Sequence, residues 1–388
     1  MAQTTITAAS HPKLVRSAYA QKAWLWAQDN MFFSKFIGRQ MGDTDSRTGG
    51  QGSKGVDISN GTQSIVTLKT EPKAKRRGSV DIRILSPLVG SGKADSQRLK
   101  DSEEALSYYT FSPEVHLRRH AVSVDDITEF RTEVSIREDA KIALGNWLAQ
   151  TMDLDTLLAL SGLPNAVATL ARNAPSTNRI WRGGQTTGGV VESVTTDALI
   201  DSATNNLFGT QVLTWVKRKA QLGAAGGYPK IRPIHYKGKN WYVCFVHPLQ
   251  MKALKGEAAW IAAQSDANIR GEDNPLFSGA EGVWDGVIVH EWEKIESRLG
   301  AGGATASEYF DVSTDPCYSA ITVGRALFCG AQAAVHAVGR NIKWVEETDD
   351  YDNIFGVALN IIMAAEKTEF NDEDFGVIPI DTAMVLDS

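Results

Sequence analysis

Residues 131–160 carry the pattern that most restricts what this chain can become. Ala140, Leu144, Trp147, Leu148, Thr151, Leu154 and Leu158 recur at three- and four-residue intervals, the apolar stripe of an amphipathic helix. Roughly thirty residues at ~1.5 Å each make a rod of about 45 Å. Ser161-Gly162-Leu163-Pro164 follows and stops it. Around this rod the period changes to two. In "SVDIRIL", Val80, Ile82 and Ile84 alternate with Asp81 and Arg83, and in "EVHLRRHAV", Val115 and Leu117 alternate with His116 and Arg118. Such alternation marks half-buried strands.

Between those two strands lie residues of little apolar content, beginning "SPLVGSGKADSQRLKDSEEALSYY". Connections longer than ~12–15 residues without structure of their own are uncommon in compact domains and usually serve a function. Gly90-Ser91-Gly92-Lys93 invites comparison with a phosphate-binding loop, which needs a first glycine, four residues, then Gly-Lys-Ser/Thr. Here the first glycine position holds Pro87 and the hydroxyl position holds Ala94, so nucleotide binding is not expected. A long arm projecting from a two-stranded base fits the pattern better.

The first sixty residues read as another arm. "PKLVRSAYAQKAWLWAQDNMFFSKFIG" supplies Val15, Tyr19, Trp24, Trp26, Phe33 and Phe36 as apolar bulk, with Gly38 as the expected stop, ahead of a Gly/Ser/Asp-rich linker. These aromatics need a partner beyond the segment, either the body of the chain or another copy. Further on, "KNWYVCFVHP" reads as a dense strand, "LQMKALKG" as a helix start and Val287–Val289 as a strand. "ALFCGAQAAVHAVG" reads as a small-residue helix or strand, and strands resume to the C-terminus. The class is α+β.

Charge is uneven. Residues 1–80 hold twelve Lys/Arg against five Asp/Glu, whereas residues 341–388 hold two against twelve. Two solvated surfaces would explain this; basic ends meeting acidic ends of neighbouring copies is the sharper reading. The formal net charge of −6 argues against a dedicated nucleic-acid binder. Cys244, Cys317 and Cys329 have no metal-type spacing, no apolar run approaches the ~20 residues of a membrane span, and "MAQTTITAASHPKLVRS" lacks the apolar core of a signal peptide. His116 and His120 fall about 13 Å apart along a strand, too far for one zinc ion. "EETDDYDN" lacks the glycine and spaced glutamate of an EF-hand loop. Neither an enzyme nor a cofactor is implied.

The segments without chemistry are those that resemble a known family. "GSGKADSQRLKDSEEALSYY" is similar to a signature of the major capsid proteins related to that of the N4-like podoviruses, and "WLAQTMDLDTLLALSG" follows in the family's order. So do "YVCFVHPLQMKAL", "NPLFSGAEGVWDGVIVHEWEKI", "LFCGAQAAVHAVG", "DDYDNIFGVAL" and "KTEFNDEDFGVIPIDTA".

The resemblance implies the phage capsid fold of Hong Kong 97 type. Its parts would be an N-terminal arm over 1–60 and an extended-loop region over 61–121. A spine helix (about 125–160) and peripheral domain would span 122–199, and an axial domain 200–340. C-terminal strands at 341–388 would return to the peripheral domain. It implies pentamers and hexamers closing into an icosahedral head around double-stranded DNA, with a portal protein, a separate scaffolding protein and a possible decoration protein, and no membrane. Gly90 and Gly92 would bend the projecting loop, while Lys93, Arg98 and Lys100 would meet acidic groups of an adjacent subunit. Trp24, Trp26, Phe33 and Phe36 are the arm's candidates for contact between subunits. Two alternatives stand beside it, an encapsulin-like nanocompartment shell of the same fold and a nucleotide-dependent enzyme using Gly90–Lys93.

Overall fold

A computed structural model describes residues 12–39, 64–70, 82–85, 103, 108–125, 127, 131, 136–162, 174–176, 179–187, 190–193, 200, 206–223, 230–236, 239–266, 280–295, 297–298, 323–351, 353–370 and 373–384. The long stripe is one helix. After α1 (Pro12–Asn30), α2 runs from Ile136 to Ser161. Its 26 residues span about 39 Å, and Gly162 at φ +70° ends it, a conformation glycine adopts without penalty.

Two sheets flank this helix. The first has five strands in the order β1 (Ile37–Arg39), β2 (Val66–Thr70), β15 (Ala334–Asp349), β16 (Ile354–Lys367) and β5 (His116–Asp125). Its centre is the long antiparallel hairpin β15–β16, with register shifts between Val338 and Arg340 and between Arg340 and Lys343. The hairpin turns through Asp350 and Tyr351, both at positive φ. Because strand side chains alternate between faces, Val357, Leu359, Ile361 and Met363 of β16 point to one side. There they pack with Leu144, Leu148 and Met152 of α2 and Ala20, Ala23 and Ala27 of α1.

The second sheet orders β11 (Gly282–Trp284), β12 (Val287–Glu291), β10 (Lys239–Val246), β14 (Val323–Cys329), β19 (Val377–Ala383) and β6 (Trp181–Arg182), with β9 (Ile234–Tyr236) and β13 (Ser297–Arg298) added at the side. Small pairs join β7 (Gln185–Thr187) to β8 (Val190–Glu192) and β17 (Glu369–Phe370) to β18 (Glu373–Asp374). Both faces of its centre are covered, which is why "WYVCFV" is continuously apolar rather than alternating. Tyr242, Cys244 and Val246 join Val212, Leu213 and Val216 of α3 (Thr210–Leu222) and Met251 and Leu254 of α4 (Pro248–Lys255). Val243 and Phe245 face Phe33, Phe36, Leu157 and Leu160 instead. The helix α2 therefore lays its first half on one sheet and its last turn on the other.

One sequence expectation is corrected. The base of the extended loop pairs β3 (Ile82–Leu85) with β4 (Tyr108–Phe111), not with "EVHLRRHAV"; that segment is β5 and pairs along β16 from His116 to Asp125. The strands after residue 341 divide between the sheets, since β15 and β16 belong to the first while β19 pairs with β14 in the second. "ALFCGAQAAVHAVG" is two strands rather than a helix, broken at Gly330, where an added Cβ would lie 2.6 Å from the Arg232 carbonyl oxygen.

Candidate assembly surface

The arm is tied down residue by residue. The helix α1 runs alongside α2 with small residues between them: at Gly145 an added Cβ would meet Trp26 Cδ1 at 3.0 Å and the Ala23 carbonyl oxygen at 3.3 Å. Trp26 Nε1–H donates to Asn146 Oδ1 at 2.7 Å, and Asn30 Nδ2–H donates to the Trp26 carbonyl at 2.9 Å, closing the last turn of α1. The chain then enters a 3-10 turn at Phe32–Phe36 rather than continuing to Gly38. Asp153 of α2 explains that start, accepting from the Phe32 N–H at 2.8 Å and the Phe33 N–H at 3.1 Å. A carboxylate over free N–H groups is the usual way to satisfy a helical beginning. Burial pushes the Asp153 carboxyl above its ordinary value, opposed by those two N–H groups and by Lys294.

Beyond Asp153 the helix makes three more polar ties. Asp155 takes Arg118 of β5 through one guanidinium nitrogen, at 2.7 and 2.8 Å. Thr156 Oγ1 donates to the Met152 carbonyl and meets His336 Nε2 of β15 at 2.6 Å. At the C-terminal end, Arg325 of β14 donates from Nη1 to the Ser161 carbonyl at 2.9 Å and grips Asp381 of β19 with Nε and Nη2 at 2.7 and 2.8 Å. Arg325 and Asp381 are both buried, so each charge depends on the other for what water would otherwise supply.

Of the arm residues singled out from sequence, Phe33 and Phe36 lie wholly inside their own chain. Phe33 is 0% and Phe36 2% exposed, set edge-on to Phe245 at 5.4 and 5.1 Å, with Trp292 against Phe33 at 5.3 Å. As contacts between subunits these two are corrected: their surface is used up at home. Trp24 is half-buried against the α1–α2 layer. Trp26, with its neighbour Leu25, remains exposed, at 43% and 59%. Gly90, Gly92, Lys93, Arg98 and Lys100 lie outside the described residues. Sequence reasoning passed over Asp153, Asp155, Arg325 and Asp381. The legible signal for the first two was "MDLD", two carboxylates inside an otherwise apolar helix stripe.

Among the described residues, no three His, Cys, Asp or Glu side chains stand where they could share a metal ion, and no helix is long and apolar enough to cross a membrane. Cys244 and Cys329 are free and buried, on opposite faces of the second sheet, and burial holds the Cys244 thiol well above its ordinary pKa. What the described residues display is contact, with buried polar ties running from α2 to the arm and to both sheets.

Comparison with known proteins agrees. The chain is 29% identical to a protein named "Major capsid protein" from Pseudomonas phage KPP25, over 94% of each. Its structure is similar to the capsid of Ralstonia phage GP4, with TM-score 0.68, 25% identity, and 90% of this chain and 98% of that one covered. It is also similar to the capsid of cyanophage Pam1, with TM-score 0.62, 20% identity, and 84% and 90% covered. The fold is thus the α+β phage capsid fold of Hong Kong 97 type. The family described as "Phage capsid protein" matches residues 27–386, nearly the whole length, and this chain belongs to it.

Proposed function

We propose that this chain is the major capsid protein of a tailed phage, of the kind related to the N4-like podoviruses, and that it assembles as pentamers and hexamers into an icosahedral head around double-stranded DNA. The family match from residue 27 to residue 386 carries this reading. A capsid protein is a component of the virion, and its work is contact rather than catalysis. The five-stranded sheet with α2 would be the peripheral part and the eight-stranded sheet the axial part, with β19 assigned to the latter. The loop at 79–121 would project to an adjacent subunit, with Gly90 and Gly92 at its bend and Lys93, Arg98 and Lys100 meeting acidic groups there. Trp24 and Trp26 would present the arm to a neighbour. A separate scaffolding protein, a portal protein and a decoration protein are the partners such a head would use.

Each contact is weak alone, and repetition over a closed shell makes the sum strong. Electron microscopy of the chain expressed with and without the scaffolding gene of the same genome tests this. Closed shells of uniform size are expected with it. Dispersed monomer under all conditions would overturn the reading, and shells loaded with an enzyme instead of DNA in infected cells would favour a nanocompartment.

A further inference from the structure

The first sheet is covered by α2 on one face; on the other, side chains are buried near β2, where Val335, Ala337 and Ala364 lie, and exposed farther along, which leaves an open face there. The side chains of β5 that share the α2 side include Arg118, held by Asp155, and His120, tilted against Trp147 at 5.0 Å. The alternate set points the other way. Register places Leu117 opposite Ile362 and Arg119 opposite Asn360 on β16, and these in turn stand opposite Arg340 and Lys343 on β15. Two cross-strand rows result, Leu117–Ile362–Arg340 and Arg119–Asn360–Lys343. Leu117 is 53% exposed, and Arg119, Arg340 and Lys343 are all exposed. No ion pair or hydrogen bond engages these three cations among the described residues. Asn360 Oδ1, in the middle of the second row, is buried without a hydrogen-bond partner.

The distal end of the same hairpin has the opposite character. Glu347 and Asp349 are exposed, Asp350 forms the turn, and Tyr351 stands fully clear of the protein at 104%. From Lys343 to Asp349 the strand advances about 20 Å at ~3.3 Å per residue. The tip therefore cannot reach the cationic rows of its own chain.

We propose that the β15–β16 tip of a second copy seats on this open face. Glu347, Asp349 and Asp350 would meet Arg119, Arg340 and Lys343, and the Tyr351 ring would cover Leu117 and Ile362. Complementarity of both kinds, charge to charge and aromatic to apolar, is present on one chain. That is what a repeated head-to-tail contact between identical copies requires. The inference rests on the assembly reading above and adds the surfaces that carry it. The rim position of these charges makes the contact sensitive to salt.

The test is a charge swap in the full chain, assembled with its scaffolding protein and scored as closed shells by sedimentation and microscopy. Arg119→Glu/Arg340→Glu/Lys343→Glu is expected to keep wild-type thermal melting while shell yield falls about ten-fold or more, because the loss recurs at every subunit. Glu347→Lys/Asp349→Lys should do the same, leaving the positive-φ turn residues untouched. Combining all five substitutions should restore shells to near wild-type yield, since face and tip are again opposite in sign. Wild-type yield and salt tolerance in the triple variant would overturn the proposal. So would failure of the fivefold variant when both parents melt normally, which would assign the face to a different occupant such as packaged nucleic acid. A wild-type chain that forms no shells would instead overturn the assembly reading, and this inference with it.

Discussion

His336 sets an acid limit on the folded subunit. Its ring is 1% exposed at the buried start of β15. Thr156 Oγ1 gives its own proton to the Met152 carbonyl, so at 2.6 Å it accepts from His336 Nε2–H. That assigns the tautomer and leaves Nδ1 bare, buried and without a partner. A second proton would sit on Nδ1 with no acceptor to receive it, and burial accordingly lowers the pKa from 6.5 to about 4. The sign follows from linkage. The unfolded chain takes up the proton as pH falls through 6.5 and the folded chain does not, so stability is complete above 6.5 and declines below it. Each pH unit is worth about 1.4 kcal/mol, so the interval from 6.5 down to about 4 withdraws roughly 3 kcal/mol. His336→Gln keeps an N–H for Thr156 and does not titrate. Urea midpoints of the two subunits, compared across that interval, are expected to fall more steeply with acid for wild type, all other histidines cancelling in the difference. Parallel pH dependences would refute the reasoning, because they would mean that His336 either gains its proton in the fold or is not buried there.

Phe33→Ala removes a fully buried ring from between Phe245 and Trp292 and should cost about 3–5 kcal/mol, read as a lowered urea midpoint of the isolated subunit. Leu25→Ala, at an exposed site, should cost under about 0.5 kcal/mol in the same assay. Asp381→Ala strands the Arg325 guanidinium in the core and should cost about 3–5 kcal/mol, whereas Arg325→Met with Asp381→Leu should cost much less than the two single changes added together; additive costs by thermal melting would show that the pair does not act as a unit.

What could be read from sequence is what local periodicity encodes. The stripe from Ala140 to Leu158 gave a helix because three- and four-residue spacing has no other regular solution. The run at Tyr242–Val246 gave a strand because its length and β-branched content exclude a helix. Which core an apolar residue joins is a different matter. Phe33 and Trp26 are both large, aromatic and on one arm, yet Phe33 fills the second sheet's core and Trp26 lies at the surface. The difference is made by Asp153, 120 residues away from Phe33, which turns the chain at Phe32. Pairing across long separations is likewise silent in the sequence. Nothing local in "VIPIDTA" distinguishes β14 from β16 as its neighbour, and the partner that anchors it, Arg325 against Asp381, is a single pair in a chain with 40 basic and 46 acidic residues.

The polar ties of α2 also explain where a shell made of such subunits has freedom to adjust. Asp153 holds the arm, Asp155 holds β5, Thr156 meets β15, and the Ser161 carbonyl holds β14 and, through Arg325, β19. All lie along about 12 Å of one helix. Any of these segments that moved relative to α2 would leave a buried donor or acceptor unmet, at about 1–3 kcal/mol for each group. Rigid motion of arm base, helix and both sheets together costs none of this. In the head proposed above, adjustment between pentameric and hexameric settings would therefore fall to parts outside the set of ties, the far end of the β15–β16 hairpin and the exposed side of α1. Those are also the places where Tyr351, Leu25 and Trp26 stand uncovered. Subunits that must bend at their contacts while keeping their cores would have their unmatched surface there.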